Sequence, residues 1–554
     1  MKKNIFLFAL LCFSVLAFAD NYSVNKGELE AAVSNPDVIE FKNYTGPHKV
    51  INTKAQIQGI GESLGIVIAS DRTSKTQTGS KYKYQIIHAI GPEKNGLDAD
   101  ILKLGKDAGV DHIKNLRLII SSYLVSAYDY SEKDASTLAT FITVYNAVYR
   151  NRLAELKNKY KPVVIENLTE KNAGLSVNYE DWPGKTEIII PLLNAADGGI
   201  STIDTTSISD SNVISSMRED DNRGVDERRN MVDLKERESE AAYEQAQSAQ
   251  KEAVETQKQA DTAKKDAAAA EKKAEDDRRA LVNARNEEKV KAEEYDKALK
   301  EAEENPEDEE KQQEAEEKEQ ELAEAEEKRQ EAEEKAEESQ KEAEEKRREA
   351  EQKQAEADAK SQEASEKQAF SDKKYSETVS ERSAIAGDQQ KNIAENAQLA
   401  KIETTYGLVI SDEKEMLSTL VYVDVSNGQL VKESPVAYIR NRNIIQSNDG
   451  FVAVAGTTTG KNTAVKLVLI DKESMEIIAE SVETLSPDTV LVESNGFYYV
   501  VISKDNKYYA AKYDSQLRLV QKSDIPVKKF SPIIVVDDNV TVTGEDGSAE
   551  LLKF

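Results

Sequence analysis

Through much of the first third of the chain, apolar residues recur at steps of three and four. Ile57, Ile60, Leu64 and Val67 follow Thr53, a residue type that caps helix N-termini, so this stretch reads as one amphipathic helix. In IKNLRLIISSYLVSAY (113–128), Leu116, Ile120 and Leu124 stand four apart with Ile119, Tyr123 and Ala127 beside them, which predicts a helix with a wide buried face. A further helix opens on the Ser-x-x-Asp cap at Ser131 to Asp134 and carries Leu138, Phe141, Ile142, Tyr145 and Tyr149 along one stripe. KTEIIIPLL (185–193) is rich in β-branched residues and reads as a strand stopped by Pro191. Residues 20–200 are therefore expected to form an α+β globular domain.

The pattern then changes twice. STIDTTSISDSNVISSMRED (201–220) has the composition of a connecting segment, and a polar linker is expected over 201–233. A charged helical coiled coil follows over 234–400. Alternating steps of three and four from 246 to 284 land on alanine at nearly every position, with Thr256, Asp277 and Leu281 the exceptions; this is a heptad seam. Alanine favours the helix but buries little area, so the packing should be close and shallow. The run breaks at 304–308, where Asn305 suits a cap, Pro306 the first position of a new helix, and Glu307-Asp308 the positive end of its dipole. The seven-residue rhythm resumes at Ala315, Leu322, Arg329, Ala336, Ala343, Ala350 and Ala357. Two arms of about 70 residues, roughly 105 Å each, suggest an antiparallel hairpin, with one kinked rod as the alternative.

Over 401–554 the composition turns to Val, Ile, Tyr and Thr between turn residues. One element recurs as SNDGFVAV (447–454), SNGFYYVV (494–501) and DDNVTVTG (537–544); another as YVDVSNGQLVKES (422–434), LIDKESMEIIAES (469–481) and KYDSQLRLVQKS (512–523). The spacing matches a four-stranded propeller blade, so a β-rich, propeller-like domain of three or four blades is expected, with a plain β-sandwich left open.

Charge and cysteine usage narrow the setting. The formal net charge is −29, with 24 acidic against 9 basic residues between 301 and 350 alone, a surface that repels phosphate backbones and disfavours nucleic acid. Lys2-Lys3, the apolar run from Ile5 to Phe18 and Ala17-Phe18-Ala19 before Asp20 form a secretory signal peptide at 1–19. The single cysteine, Cys12, lies within it, which removes disulfides, thiolate metal sites and cysteine catalysis from the exported chain. Beyond it no apolar run is long enough to span a bilayer.

Four strings carry candidate chemistry. GESLG (61–65) matches Gly-x-Ser-x-Gly, which presents a nucleophile only where a strand feeds a sharp turn. Here the motif sits inside the first predicted helix, with Ser63 beside Gly59 and with His48, His88 and His112 in no triad context. Gly59, Gly61 and Gly65 are one residue too widely spaced for a dinucleotide loop. Gly184-Lys185-Thr186 has Tyr179 where a phosphate loop needs glycine, and EDDNRGVDE (219–227) has Met231 where a calcium loop needs glutamate. No catalytic, cofactor-binding or metal-binding residue is nominated, and no cofactor is expected.

GIGE (59–62), ITVYNAVYR (142–150), KNAGLS (171–176) and the spaced Tyr179, Trp182, Gly184-Lys185-Thr186 and Ile190-Pro191-Leu192 resemble the spirochaetal 83/100-kDa antigen family. The resemblance implies an exported, immunogenic cell-envelope protein and brings no established reaction. The expected function is a non-enzymatic structural or interaction protein, periplasmic or at the cell surface, with unidentified envelope protein partners and oligomers through the coiled coil. The alternatives are a ligand- or peptide-binding module in the C-terminal β domain and a hydrolase using Ser63.

Overall fold

The computed structural model describes residues 39–72, 76–81, 83–193, 202–218, 221–460, 463–537 and 539–554. The signal segment 1–19, with Cys12, lies outside the described residues.

The first domain is built on helices α1 (Lys54–Ala69), α2 (Ile113–Tyr128) and α3 (Glu132–Val148) packed on an antiparallel sheet of β1 (Thr76–Lys81), β2 (Tyr84–Ala89), β3 (Asp98–Leu104) and β4 (Thr186–Leu192), in the order β1-β2-β3-β4. Thr53 starts α1 through a capping box: its Oγ1 accepts from the Gln56 amide at 3.2 Å, and Gln56 Oε1 accepts from the Thr53 amide at 2.8 Å. Ser131 caps α3 by accepting from the Asp134 amide at 3.1 Å. Leu64, Ile68, Ile86, Ile101, Ile120, Leu124, Phe141 and Trp182 meet in one core. Pro191 does not stop β4, which continues to Leu192 with Pro191 opposite Ala99. The strand lies at the sheet's edge, and the Pro191 carbonyl faces outward to accept from the Asp204 amide at 2.9 Å, so its missing N–H costs no ladder bond. Short helices α4 (Leu153–Lys159) and α5 (Pro162–Glu166) close the domain.

Within 201–233, the described residues 202–218 and 221–233 correct the expectation of a linker. They hold α6 (Thr205–Ile208) and α7 (Ser211–Arg218), and Ile203, Ile208, Val213, Ile214 and Met217 join the domain core. The polar residues that suggested a linker are caps. Asp204 accepts from the Thr206 amide, and Asp210 accepts from the amides of Asn212 and Val213.

Helix α8 spans Val225–Glu304 and α9 spans Glu309–Leu399. They run antiparallel, since Glu252–Lys360, Lys273–Glu342, Arg285–Glu333 and Lys291–Glu321 pair across the arms at positions nearly symmetrical about Pro306. The buried seam contains Ala246, Ala249, Ala253, Thr256, Ala260, Ala267 and Ala270 on one arm and Ala336, Ala343, Ala350 and Ala357 on the other, and it extends the seven-residue rhythm to Ala364, Ser371, Thr378 and Ile385. The cap at the tip is Asp308, accepting from Glu310 and Lys311 amides, while Asn305 closes α8.

The C-terminal region is all-β: β5 (Thr404–Asp412), β6 (Leu417–Asp424), β7 (Leu430–Glu433), β8 (Ile439–Gln446), β9 (Phe451–Gly456), β10 (Val465–Ile470), β11 (Ile477–Glu480), β12 (Val492–Ser494), β13 (Phe497–Lys504), β14 (Lys507–Tyr513), β15 (Leu519–Lys522), β16 (Ile534–Val536), β17 (Asn539–Thr543) and β18 (Ala549–Lys553). Successive antiparallel groups β5–β7, β8–β11, β12–β15 and β16–β18 follow one another, the first two joined by the Ser418–Ile439 bridge. The recurring sequence elements are the first and last hairpins of these groups; at SNGF, Asn495 and Gly496 both take positive φ, the conformation a tight hairpin turn needs. Strand alternation divides the side chains among separate cores. Phe451, Ala453 and Val468 pack toward Leu420 and Ile439; Val452, Val454 and Leu467 toward Tyr498, Val500 and Tyr513; Tyr499 and Val501 toward Val540 and Val542. Propeller-like closure is corrected: the described residues form no closed propeller or barrel, because the first and last groups each hold only three strands and do not pair with one another.

Candidate functional site

The Gly-x-Ser-x-Gly motif lies on α1. Ser63 Oγ donates to the carbonyls of Gly59 at 2.7 Å and Ile60 at 2.9 Å, so its proton is spent on its own helix. Gly61 and Gly65 have a packing task. A Cβ on Gly61 would stand 2.1 Å from the Ile119 carbonyl oxygen, and one on Gly65 2.6 Å from Ser126 Cβ, so α1 and α2 approach closely because both are glycine. None of the three histidines is hydrogen-bonded to Ser63: His112 caps α2, His88 is in the core, and His48 stands at a domain junction. Gly184, at φ +72°, makes the turn into β4, and Thr186 is already in the strand. In 219–227, Asn222 and Arg223 form a left-handed turn that fastens the stalk arms, Arg223 to Glu395 at 2.6 Å and Asn392 to the Asn222 carbonyl at 2.9 Å. Among the described residues no group of three or more His, Cys, Asp or Glu could hold a metal ion.

A buried polar cluster escaped the sequence reading. His88 on β2 lies opposite Asp100 on β3; His88 Nδ1 is 2.5 Å from Asp100 Oδ1, and Tyr123 and Tyr128 donate to Asp100 Oδ2. Burial alone would lower the imidazole, but the Asp100 hydrogen bond and charge outweigh it and hold its pKa above the usual value. Burial pushes both phenols up. With His88 1% and Asp100 0% exposed, the cluster fixes α2 to the sheet and offers no approach to a substrate. The signal available was Asp98 and Asp100 alternating within the apolar strand DADILKL, opposite the histidine of YQIIHA.

The accessible geometry is where the two globular regions meet. The His48 amide donates to Glu480 Oε2 at 2.8 Å, Nδ1 lies 3.0 Å from Glu480 Oε1, and Nε2 lies 3.4 Å from Asp111 Oδ1. The hydrogen bond to Asp111, then that to Glu480, raises the imidazole pKa to about 10. Lys114 on α2 adds an ion pair to Glu476 at 2.5 Å. Beside this clasp a cavity of about 440 Å³ lies under 48–52 and adjoins one of about 520 Å³ over α1 and α2; both are bordered by Asn52, Ile57, Gly109 and Asn115. Amides over an apolar floor suit recognition, and no nucleophile, base and orienter converge there.

Fold and site together define a stalk protein: an α+β domain and a β domain clasped to each other at the root of a long antiparallel helical hairpin. The chain belongs to the Borrelia P83/100 protein family, whose model matches residues 27–533. No curated protein matches it. No helix among the described residues is long and apolar enough to cross a membrane.

Proposed function

We propose that the protein is a non-enzymatic structural and interaction component of the cell envelope, exported to the periplasm or the cell surface, where its hairpin holds docked domains at a distance from the stalk tip and presents them to envelope proteins. The hairpin carries this reading. Its alanine seam and charged exterior give a rod of about 120 Å, from 80 residues in α8 at ~1.5 Å each. Family membership supports an antigenic envelope protein, and the Ser63 hydroxyl, donating to the Gly59 carbonyl of its own helix, favours this reading over a hydrolase. Peptide binding is the secondary role that suits the β domain. Strands β5 and β18 are outer strands with exposed Val409, Ile410 and Leu551, and an extended segment could pair with either edge.

A photo-crosslinking residue at Glu310 near the stalk tip, or at Val536 in the last group of strands, tests this in intact cells. The expected result is capture of discrete envelope proteins from at least one position. Failure to capture a protein from either, or covalent labelling of Ser63 by a fluorophosphonate, contradicts it.

A further inference from the structure

At the stalk root, α7, α8 and α9 surround a cleft of about 540 Å³, within the size range of small-ligand sites and floored by Phe141 of α3. Its most telling feature is Arg228, whose side chain is 0% exposed. Nε donates to Glu381 at 2.6 Å and Nη1 to Asp388 at 2.8 Å, but Nη2 has no hydrogen-bond partner. A guanidinium has five N–H donors in a fixed fork, and burying two of them unused is costly. Arg218 lines the same cleft; its Nε makes no hydrogen bond and sits 3.4 Å from Asp388 as an ion pair.

The surrounding carboxylates are already engaged. Glu381 holds Arg228; Glu377 accepts from Lys235 and the Thr206 hydroxyl, both at 3.1 Å; Asp210 accepts from Lys159 and Tyr149. The cleft thus has cationic donors to spare and lacks an acceptor. Three cations (Arg218, Arg228, Lys235) and three carboxylates (Asp210, Glu377, Glu381) line it, and Lys159 on Asp210 and Asp388 between the two arginines make the balance four against four, so it can take one negative charge more readily than two. Ser211, Ser215, Ser376 and Ser380 stand on its exposed side; Ser215 and Ser376 donate to the Ser211 and Lys373 carbonyls and so offer a ligand hydroxyl only their acceptor oxygens.

We infer that this cleft binds a small hydroxylated monocarboxylate, its carboxylate on Arg228 Nη2 and Arg218 Nε and its hydroxyls among the serines. Such a ligand bridges α7, α8 and α9 and fixes the angle at which the stalk leaves the first domain.

Titration calorimetry on the full chain with gluconate tests this, with inorganic phosphate and glucose as comparators. Gluconate should bind at least about tenfold more tightly than either. Arg228→Met should abolish binding, but it also strands two carboxylates and can unfold the root. Arg218→Met and Ser380→Leu, at more exposed positions, should therefore weaken gluconate about tenfold without shifting the melting temperature of the free chain. No heat from gluconate at tens of millimolar, equal affinity for phosphate or glucose, or unchanged affinity in both exposed variants overturns the inference.

Discussion

Gly59, Gly61 and Gly65 stand on one helix within seven residues, yet only two are needed as glycine. A Cβ at Gly61 or Gly65 meets α2 below contact distance, so Gly61→Ala or Gly65→Ala should destabilise the first domain by about 1–3 kcal/mol. Gly59 has open space around its Cβ position; Gly59→Ala should stabilise by up to about 1 kcal/mol through helix propensity. Ser63→Ala should stay within about 0.5 kcal/mol. Urea denaturation of the four variants separates a packing motif from a catalytic one. His48 supports a second prediction. Its imidazole stays protonated in the folded protein up to about pH 10, against 6.5 when free. The clasp therefore has its full stabilisation below about pH 6.5, weakens as pH rises, and loses this contribution above about 10. Energy transfer between dyes on the two domains should fall from pH 7 to 9.5, and His48→Gln should flatten that fall. The helical placement of Ser63 was legible because the apolar rhythm ran through the motif. The reason for its flanking glycines was not, because it lies on α2, over fifty residues away. His48 was equally opaque: its partner, Glu480, comes from the other end of the chain.

At the scale of elements, the alanine seam was readable from a single chain because heptad periodicity is local, and the tip followed from its capping residues, although Asp308 rather than Asn305 is the cap. The seam makes a sharp test. Ala260 is fully buried and Ala269 is exposed on the same helix. Ala260→Glu should cost about 1–3 kcal/mol and lower the helical melting transition, while Ala269→Glu should leave it nearly unchanged in circular dichroism. Helices α6 and α7 were not legible as part of the first domain. Their Ser, Thr and Asp residues have linker composition, and only the packed structure reveals them as caps around Ile208, Val213 and Met217. In the β region the repeats located the hairpins, but ring closure depends on whether distant ends pair, which no repeat encodes. Since its three cores are built from its own residues, residues 401–554 expressed alone should resist protease and give a β-type spectrum; a disordered chain would mean that the Glu480 and Glu476 contacts to the first domain are required.

For the whole molecule, the hairpin decides what the protein can do mechanically. It brings residues 225 and 399 back to one root, allows the first and last domains to touch through His48 and Glu480, and leaves Pro306 at the far tip. A continuous rod would separate those domains and make the clasp impossible. Pairs such as Lys291–Glu321 and Lys360–Glu252 set the register, while exposed ion pairs of this kind are individually weak, so the arms are held by the seam and by their covalent connection. The most direct test is one distance. Spin labels on cysteines replacing Ser248 and Ser365, exposed positions on opposite arms, in a chain lacking Cys12, should give a dipolar separation of about 1–3 nm, the width of two packed helices with their labels. Absence of measurable coupling, as expected for two sites about 175 Å apart along a continuous helix, would contradict the hairpin and with it the docked pair of domains at its root.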